Sequence, residues 1–145
     1  MRWKLVAQVG GQRTYVVVLY AGEEAASGLK SFADEHNLTG SHFTALGAFQ
    51  DVTLGWWNWE TKEYERIRFE EQVEALSLVG NIARSPERDS SVHAHVVVGR
   101  RDGTAHGGHL LEAHVRPVLE VTIVEVPAHL QRRPDARTGL ALIEP

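Results

Sequence analysis

Three histidines in one window of the sequence have the spacing of a transition-metal site. His93 and His95 flank Ala94, and His109 follows a glycine-rich segment. Residues i and i+2 of a β-strand point to the same side of a sheet, so His93 and His95 should project side by side. Imidazole nitrogens bind zinc and other divalent transition metals, and three protein ligands leave a fourth position for water or substrate. The pattern therefore predicts an open metal site, the kind that catalytic proteins use.

The segment that separates His93 from His109 predicts how their two strands pair. Residues 99–103 have the length and the Asp-Gly ending of a hairpin loop. If Val98 pairs with Thr104 across this loop, the register places His93 directly opposite His109. Facing Cβ atoms of such a pair are roughly 5 Å apart, which brings the two imidazoles within reach of one metal ion.

The same register assigns the other residues of the hairpin to the two sides of the sheet. His95 faces Gly107, whose lack of a side chain leaves a gap beside the three imidazoles, and His106 points to the opposite side. A slip of one residue would turn His109 away from the other two ligands. Histidine pairs of this spacing also occur in strands for packing alone, so a structural role stays open beside the metal site.

The composition is that of one ordinary globular domain and excludes several other kinds of site. The chain has 145 residues, 43% hydrophobic and 23% charged, and one domain over residues 1–145 fits this length. The absence of cysteine excludes disulfides, thiolate zinc sites and a cysteine nucleophile. The formal net charge of −4 argues against non-specific binding of nucleic acid, which depends on an excess of lysine and arginine.

The apolar segments of the sequence are too short for a signal peptide or a membrane span. At the N-terminus, the apolar run at residues 5–7 already ends at Gln8. No stretch approaches the roughly 20 apolar residues that cross a bilayer as a helix. We therefore expect a cytoplasmic protein without a membrane partner.

The remaining sequence predicts a sheet with one principal helix. Apolar residues recur at helical spacing over residues 23–36, and Asn37 is a plausible C-terminal cap. Glu23 and Glu24 would lie in the first turn, where they suit the helix dipole. The predicted strands are residues 3–9, 14–20, 41–48, 51–59, 64–70, 73–79, 91–98, 104–112 and 116–126, with a loop at 81–90 and a short terminal element at 139–143. These elements indicate an α/β domain of the α+β type, a mainly antiparallel sheet with the helix packed on it.

Several segments together resemble the plants and prokaryotes conserved (PPC) domain family. Residues 93–95 and 107–110 look like its signature, in which His-x-His is followed by Gly-Gly-His-Leu. Residues 74–83 resemble its segment Glu-x-x-x-Leu-x-Gly-Asn-Ile-Ala, and residues 44–48 resemble its earlier Ile-Gly-Ala segment. The match covers about residues 10–127, and the combination of motifs is specific to the family.

The resemblance implies a fold, an assembly and a cofactor. The family fold is a small α/β domain with an antiparallel sheet, usually assembled as a homotrimer. It is similar to the fold of acetolactate decarboxylase, a metal-dependent enzyme. Some prokaryotic relatives look like metal proteins that use three histidines, matched here by His93, His95 and His109. Zinc or another divalent transition metal is therefore the expected cofactor.

The family pattern marks further candidate residues around the histidines. Glu74 and Glu120 match acidic positions of the family and are candidate catalytic or ligand-orienting groups. The candidate pocket residues are Gly80, Asn81, Gly107 and Gly108. Four arginines in the predicted loops beside the histidines would attract a small anionic ligand, or are solvated loop charges; they are Arg84, Arg88, Arg100 and Arg101.

The resemblance does not extend to DNA recognition. In plants the PPC domain follows AT-hook motifs in nuclear DNA-binding proteins, where it supports self-association and partner binding. The nearest candidate in this chain, residues 132–134, lacks the Arg-Gly-Arg-Pro core of an AT-hook. DNA binding by this chain alone is therefore not expected.

Two functions are consistent with these observations. The first is a homotrimeric metal-binding protein with a small-molecule pocket at the three histidines, either an enzyme or not. The second is a non-catalytic regulatory or scaffold module that self-associates and binds protein or DNA-associated partners. The sequence contains no nucleotide-binding fingerprint and no serine-nucleophile motif, so it names no substrate.

Overall fold

The computed structural model describes residues 1–87, 89–126 and 129–144. Its elements in chain order are β1 (Arg2–Val9), β2 (Gln12–Tyr20), α1 (Ala25–Glu35), β3 (Gly40–Asn58), β4 (Glu63–Phe69), β5 (Val73–Arg84), β6 (Ser90–Gly99), β7 (Ala105–Glu125), β8 (Gln131–Asp135) and β9 (Leu140–Glu144). The predicted class is confirmed, because one helix accompanies a mostly antiparallel sheet. No helix in the described part of the chain is both long enough and apolar enough to span a membrane.

The strands of the described residues form one nine-stranded sheet that bends back on itself. β3 pairs with β5 and with β7, and β6 pairs with the same two strands, so these four strands close a circuit. The helix α1 packs against β6 and β7. Its buried Leu29 and Phe32 belong to the same hydrophobic cluster as Phe49, Leu78 and Val96. The sheet therefore has one side in the core and one side that faces outward.

The helix occupies a shorter range than predicted, and its two ends show why. It begins at Ala25 rather than at residue 23, because the carboxylate of Glu24 is the N-cap and accepts hydrogen bonds from the backbone N–H groups of Ala26 (3.0 Å) and Ser27 (2.7 Å). Such a cap satisfies backbone donors that have no partner within the helix. At the other end, Asn37 has a φ of 52°, the left-handed conformation that commonly terminates a helix.

Two pairs of predicted strands are in fact two long strands. The expected breaks near residues 49–50 and 113–115 lie inside β3 and β7, which pair along most of their lengths. Their pairing shifts register after Gly47, after Phe49 and after Thr53. A bulge interrupts the alternation of inward and outward residues without ending the strand, so a pattern of alternation divides one strand into two.

The predicted loop at 81–90 is partly strand, and a polar C-terminal stretch without a predicted element forms a strand as well. β5 continues to Arg84 and β6 begins at Ser90, so residues 85–87 and 89 are the described part of the predicted loop that lies outside strands. The polar residues at 131–135 form β8, which pairs with β9 in the predicted terminal element and contacts β5 through one parallel bridge. Polar residues can form a strand at the border of a sheet, where apolar alternation is not required.

Candidate metal centre

The three histidines lie on the outward side of the sheet. In β6 the residues Ala94, Val96 and Val98 are buried in the core, so the residues that alternate with them, including His93 and His95, point away from it. The predicted register is wrong by two residues, because His95 rather than His93 pairs with His109. A two-residue shift preserves the side to which each residue points, and this is why the imidazoles still meet.

The imidazoles are close enough to share one ion. One ring nitrogen from each of His93, His95 and His109 lies within 4.8 Å of the other two. The ring centroids are 4.9 to 5.3 Å apart. Two nitrogens that are each about 2.1 Å from a tetrahedral zinc are about 3.4 Å apart, so small side-chain rotations bring all three into bonding distance. The donor set fits a divalent transition metal.

The electrostatics of the cluster keep its half-buried members neutral. Burial, with smaller contributions from His93, His95 and Arg132, lowers the pKa of His109 to about 4. Burial also lowers the pKa of His93, followed by the nearby charge of Arg132 and by His95. A neutral imidazole has a nitrogen lone pair available for a metal, whereas an imidazolium has none.

Tyr64 of β4 contacts His109 of β7 across the strand β3, which lies between them. Its hydroxyl oxygen is 3.3 Å from Nδ1 of His109, and the two ring centroids are 4.7 Å apart. When Nδ1 donates its hydrogen to this hydroxyl, the lone pair of Nε2 remains for a metal. Gly55 makes room for this contact, since a Cβ there would lie 2.8 Å from the ring of Tyr64.

Arg132 of β8 lies beside the histidines and is only 6% exposed. Its guanidinium donates hydrogen bonds to the side-chain oxygen of Asn81 and to the backbone oxygen of Ala141, the latter at 3.1 Å. Its Nε is buried and has no hydrogen-bond partner among the described residues. Burial lowers the pKa of Arg132, but a guanidinium stays charged at any physiological pH.

These side chains border a cavity of about 170 Å³. It is lined by Tyr64, Ser91, Val92, His93, His109, Arg132, Leu140, Ala141 and Leu142. A water molecule occupies about 30 Å³ of liquid, so this space corresponds to about five or six waters. The cavity therefore suits a ligand of a few non-hydrogen atoms, and the polar side chains that line it are those of Tyr64, Ser91, His93, His109 and Arg132.

A family model matches most of the chain. The model of the Plants and Prokaryotes Conserved (PCC) domain matches residues 6–127. The chain belongs to this family. The predicted resemblance is thereby confirmed over nearly the same residues, whereas β8 and β9 lie beyond the matched part.

Several solved structures are similar to the chain over almost its whole length. A plant- and prokaryote-conserved protein from Pyrococcus horikoshii has 30% identity and a TM-score of 0.86, covering 99% of this chain and 95% of that one. A protein from Bacteroides thetaiotaomicron, named as a candidate DNA-binding protein, has 28% identity and a TM-score of 0.87, covering 98% and 96%. A metal-containing protein from Archaeoglobus fulgidus has 29% identity and a TM-score of 0.86, covering 100% and 99%.

The expected likeness to acetolactate decarboxylase concerns the fold alone. The enzyme from Bacillus subtilis has 15% identity and a TM-score of 0.57, covering 86% of this chain and 57% of that one. No protein with a curated description matches the chain in sequence.

The structure does not bring the candidate carboxylates of this PCC domain to the histidines. Glu74 is exposed and lines a different depression, next to Gly99 and Arg100. Glu120 is exposed on the outward side of the sheet, where it lies beside Leu46 and Val18. Neither residue lines the histidine cavity, so their catalytic role stays a prediction.

The four predicted pocket residues lie near the histidines but do not line the cavity themselves. Asn81 pairs with His93 across β5 and β6, and it contacts the cavity indirectly by accepting a hydrogen bond from Arg132. Gly80 is a packing position, because a Cβ there would lie 2.4 Å from the ring of Phe43. Gly107 and Gly108 face Val97 and Val96 in the hairpin.

None of the three described arginines that were predicted to attract an anion lines the histidine cavity. Arg100 forms an ion pair with Glu71 at 2.7 Å, and Arg101 lines the same surface depression. Arg84 belongs to the end of β5, and Arg88 lies outside the described residues. The cation that the structure places at the cavity is Arg132, which the sequence pattern did not identify.

Sequence reasoning missed Tyr64 as well as Arg132. Tyr64 reaches His109 because β4 and β7 both pair with β3, at Trp57 and at Gly55 respectively. A tyrosine in a predicted strand carries no local signal of such a contact. Arg132 belongs to a polar segment, where only burial distinguishes it from its neighbour Arg133.

Proposed function

We propose that this PCC-domain protein binds one divalent transition metal per chain, zinc or a similar ion, through His93, His95 and His109. The observation that carries the proposal is the meeting of three imidazole nitrogens within 4.8 Å of one another. The lowered pKa values of His93 and His109 support it, since both rings keep a lone pair at neutral pH. The likeness to a metal-containing protein from Archaeoglobus fulgidus supports it independently.

The residues around the ion would bind and orient a small ligand in the cavity. A bound divalent metal supplies a Lewis acid that polarises a coordinated water or a carbonyl or carboxylate oxygen. Tyr64 would fix the orientation of the His109 ring, and Leu140 and Leu142 would limit the access of water. Among the described residues that line the cavity there is no carboxylate, so no general base is assigned and the proposal stops at binding.

The assembly that fits this protein is a homotrimer, as the PPC resemblance implies. The outward side of the sheet supports self-association, because it exposes apolar side chains next to the histidines. Leu46 is 62% exposed, Val79 is 49% exposed and Val97 is 41% exposed. Val79 is the register partner of His95. Apolar residues grouped on one surface commonly mark a protein interface.

The alternative is a regulatory or scaffold module in which the histidines are structural. Its support is the same apolar surface, together with the likeness to a candidate DNA-binding protein from Bacteroides thetaiotaomicron. The net charge of −4 works against the DNA version, because binding to phosphates requires a field of positive charge. This alternative predicts no metal and a partner that binds the apolar surface.

Metal content of the purified protein distinguishes the two functions. We expect about one zinc or similar ion per chain by elemental analysis after purification without chelator, and none in the double variant His93→Ala/His109→Ala. The matched control is His106→Ala, which removes a histidine on the opposite side of the same hairpin and should keep the ion. All three proteins should have the mass of three chains in solution.

Full retention of the metal in the double variant would refute the metal site. An absence of metal in every protein, with failure to take up added zinc, would favour the scaffold module. A monomeric mass would contradict the trimer alone and would leave the metal site standing.

A further inference from the structure

The charge of Arg132 is buried without a compensating negative charge. None of the ion pairs found within residues 1–87, 89–126 and 129–144 includes it. Both of its hydrogen-bond acceptors are neutral groups, the amide of Asn81 and the carbonyl of Ala141. A buried charge without a partner of opposite sign is costly, so its persistence calls for a functional reason.

The position of the guanidinium supplies that reason. Arg132 lines the same cavity as His93 and His109, and its charge lowers the pKa of both. A guanidinium has five N–H donors, and Asn81 and Ala141 account for two hydrogen bonds. Nε–H has no partner among the described residues but is itself shielded from solvent. The second N–H of Nη1 and that of Nη2 remain, and two such donors suit a planar anion bound through two hydrogen bonds.

We infer that Arg132 binds the carboxylate of a small organic acid whose other polar end lies at the three histidines. This inference rests on the proposed function, because it names the ligand class of the same cavity. Arg132 would then determine specificity by selecting anionic over neutral ligands. The residue lies beyond the family-matched part of the chain, residues 6–127, so the family match by itself says nothing about it.

The cavity restricts the size and the nature of the acid. A space of about 170 Å³ holds about as much as five or six waters, which corresponds to an acid of roughly two to four carbons. Val92, Leu140 and Leu142 provide apolar walls. Such walls favour a ligand with a carbon skeleton over inorganic phosphate, which is polar on every side.

Calorimetric titration of the zinc-loaded protein tests this inference with glycolate and its neutral analogue glycolamide. We expect the protein to bind glycolate at least tenfold more tightly than glycolamide. Arg132→Met should remove at least tenfold of the glycolate affinity without changing the zinc content. The matched control is Arg133→Met, which removes the adjacent exposed arginine that pairs with Glu144 and should keep the affinity within twofold.

A second variant covers the case in which Arg132→Met unfolds the C-terminal hairpin. Asn81→Asp keeps Arg132 and an acceptor for its hydrogen bond, but it supplies a carboxylate that neutralises the guanidinium. It should therefore lose glycolate binding to a similar extent while the hairpin stays in place. A merely structural role for Arg132 predicts unchanged glycolate affinity in this variant.

The outcomes separate this inference from the proposed function. Glycolate affinity that is unchanged within twofold in Asn81→Asp or in folded Arg132→Met overturns the inference even when zinc is bound. Equal binding of glycolate and glycolamide by the unaltered protein overturns it too, as does Arg132-dependent binding of inorganic phosphate in place of glycolate. If the protein takes up no zinc, the proposed function fails, and the same titration without metal still decides whether Arg132 binds the carboxylate.

Discussion

Arg13 is partly buried and Arg132 is buried, but only the charge of Arg13 is compensated by an anionic partner among the described residues. Arg13 forms two hydrogen bonds of 2.7 Å with the carboxylate of Glu125, which joins β2 to the end of β7. Arg132 has only the neutral partners Asn81 and Ala141. The arginine in the scaffold is neutralised within the fold, whereas the arginine beside the histidines has no anionic partner among the described residues.

The histidines show the same contrast. His114 lies 2.8 Å from a carboxylate oxygen of Asp51, and this hydrogen bond raises its pKa. No carboxylate accompanies His93 or His109 in the described structure, and burial lowers the pKa of both. Groups whose titration is displaced by burial, grouped in one cavity, are typical of binding and catalytic sites. The difference between the two regions therefore supports the proposed site without reference to any relative.

The largest effect on stability is expected when Glu125, the anionic partner of Arg13, is replaced. Glu125→Gln should lower the free energy of unfolding by about 2 kcal/mol, because it leaves the partly buried Arg13 charged and without an anionic partner. Arg132→Met should cost less, since it removes a buried charge that has no ionic partner. Urea unfolding of both variants measures the two values. If Arg132→Met lowers the free energy of unfolding more than Glu125→Gln does, the contrast between the two arginines is wrong.

A smaller effect is expected at Tyr64. Tyr64→Phe removes the hydroxyl 3.3 Å from Nδ1 of His109 but keeps the ring that packs on the imidazole. We expect zinc affinity to fall by roughly tenfold or less, the low end for a group that orients a metal ligand, because the hydrogen bond is long. Competition with a coloured chelator measures the change. Tyr20→Phe, at an exposed tyrosine away from the cavity, is the control and should not alter the affinity.

The smallest effect is a pH dependence carried by His114. Asp51, followed by Glu112 and Glu24, raises its pKa above the ordinary value near 6.5, so the folded protein binds this proton more tightly than the unfolded chain. The resulting stabilisation is complete below about pH 6.5 and is lost as the pH rises through the higher folded pKa. It should be less than about 1 kcal/mol, because the pair is partly exposed.

Urea unfolding at several values between pH 5.5 and 8.5 measures this pH dependence. In Asp51→Asn the part of the pH dependence that comes from His114 should be smaller. If the free energy of unfolding changes with pH by the same amount in the two proteins, Asp51 does not stabilise the charged form of His114. His114 of the scaffold would then be no better paired than the three histidines.

Local sequence determined the family, the helix and the grouping of the histidines. Apolar spacing predicted the position of α1, and alternation placed His93 and His95 on the outward side of β6. His109 joined them although the predicted register was wrong by two residues, because any even shift keeps a side chain on the same side of the sheet. Such properties depend on residues a few positions apart, and these are visible in the chain itself.

Tertiary structure alone decided which other groups surround the histidines. Tyr64 contacts His109 through the pairing of three strands, and Arg132 reaches the cavity because β8 lies beside β5. The bulges after Gly47, Phe49 and Thr53 set how the long strands bend, and no local pattern specifies their positions. Burial distinguishes Arg132 from Arg133, and burial is a property of the assembled sheet rather than of either residue type. The sequence could therefore predict the three histidines that we propose as metal ligands, while Tyr64 and Arg132, the residues proposed to act beside them, become visible only in the fold.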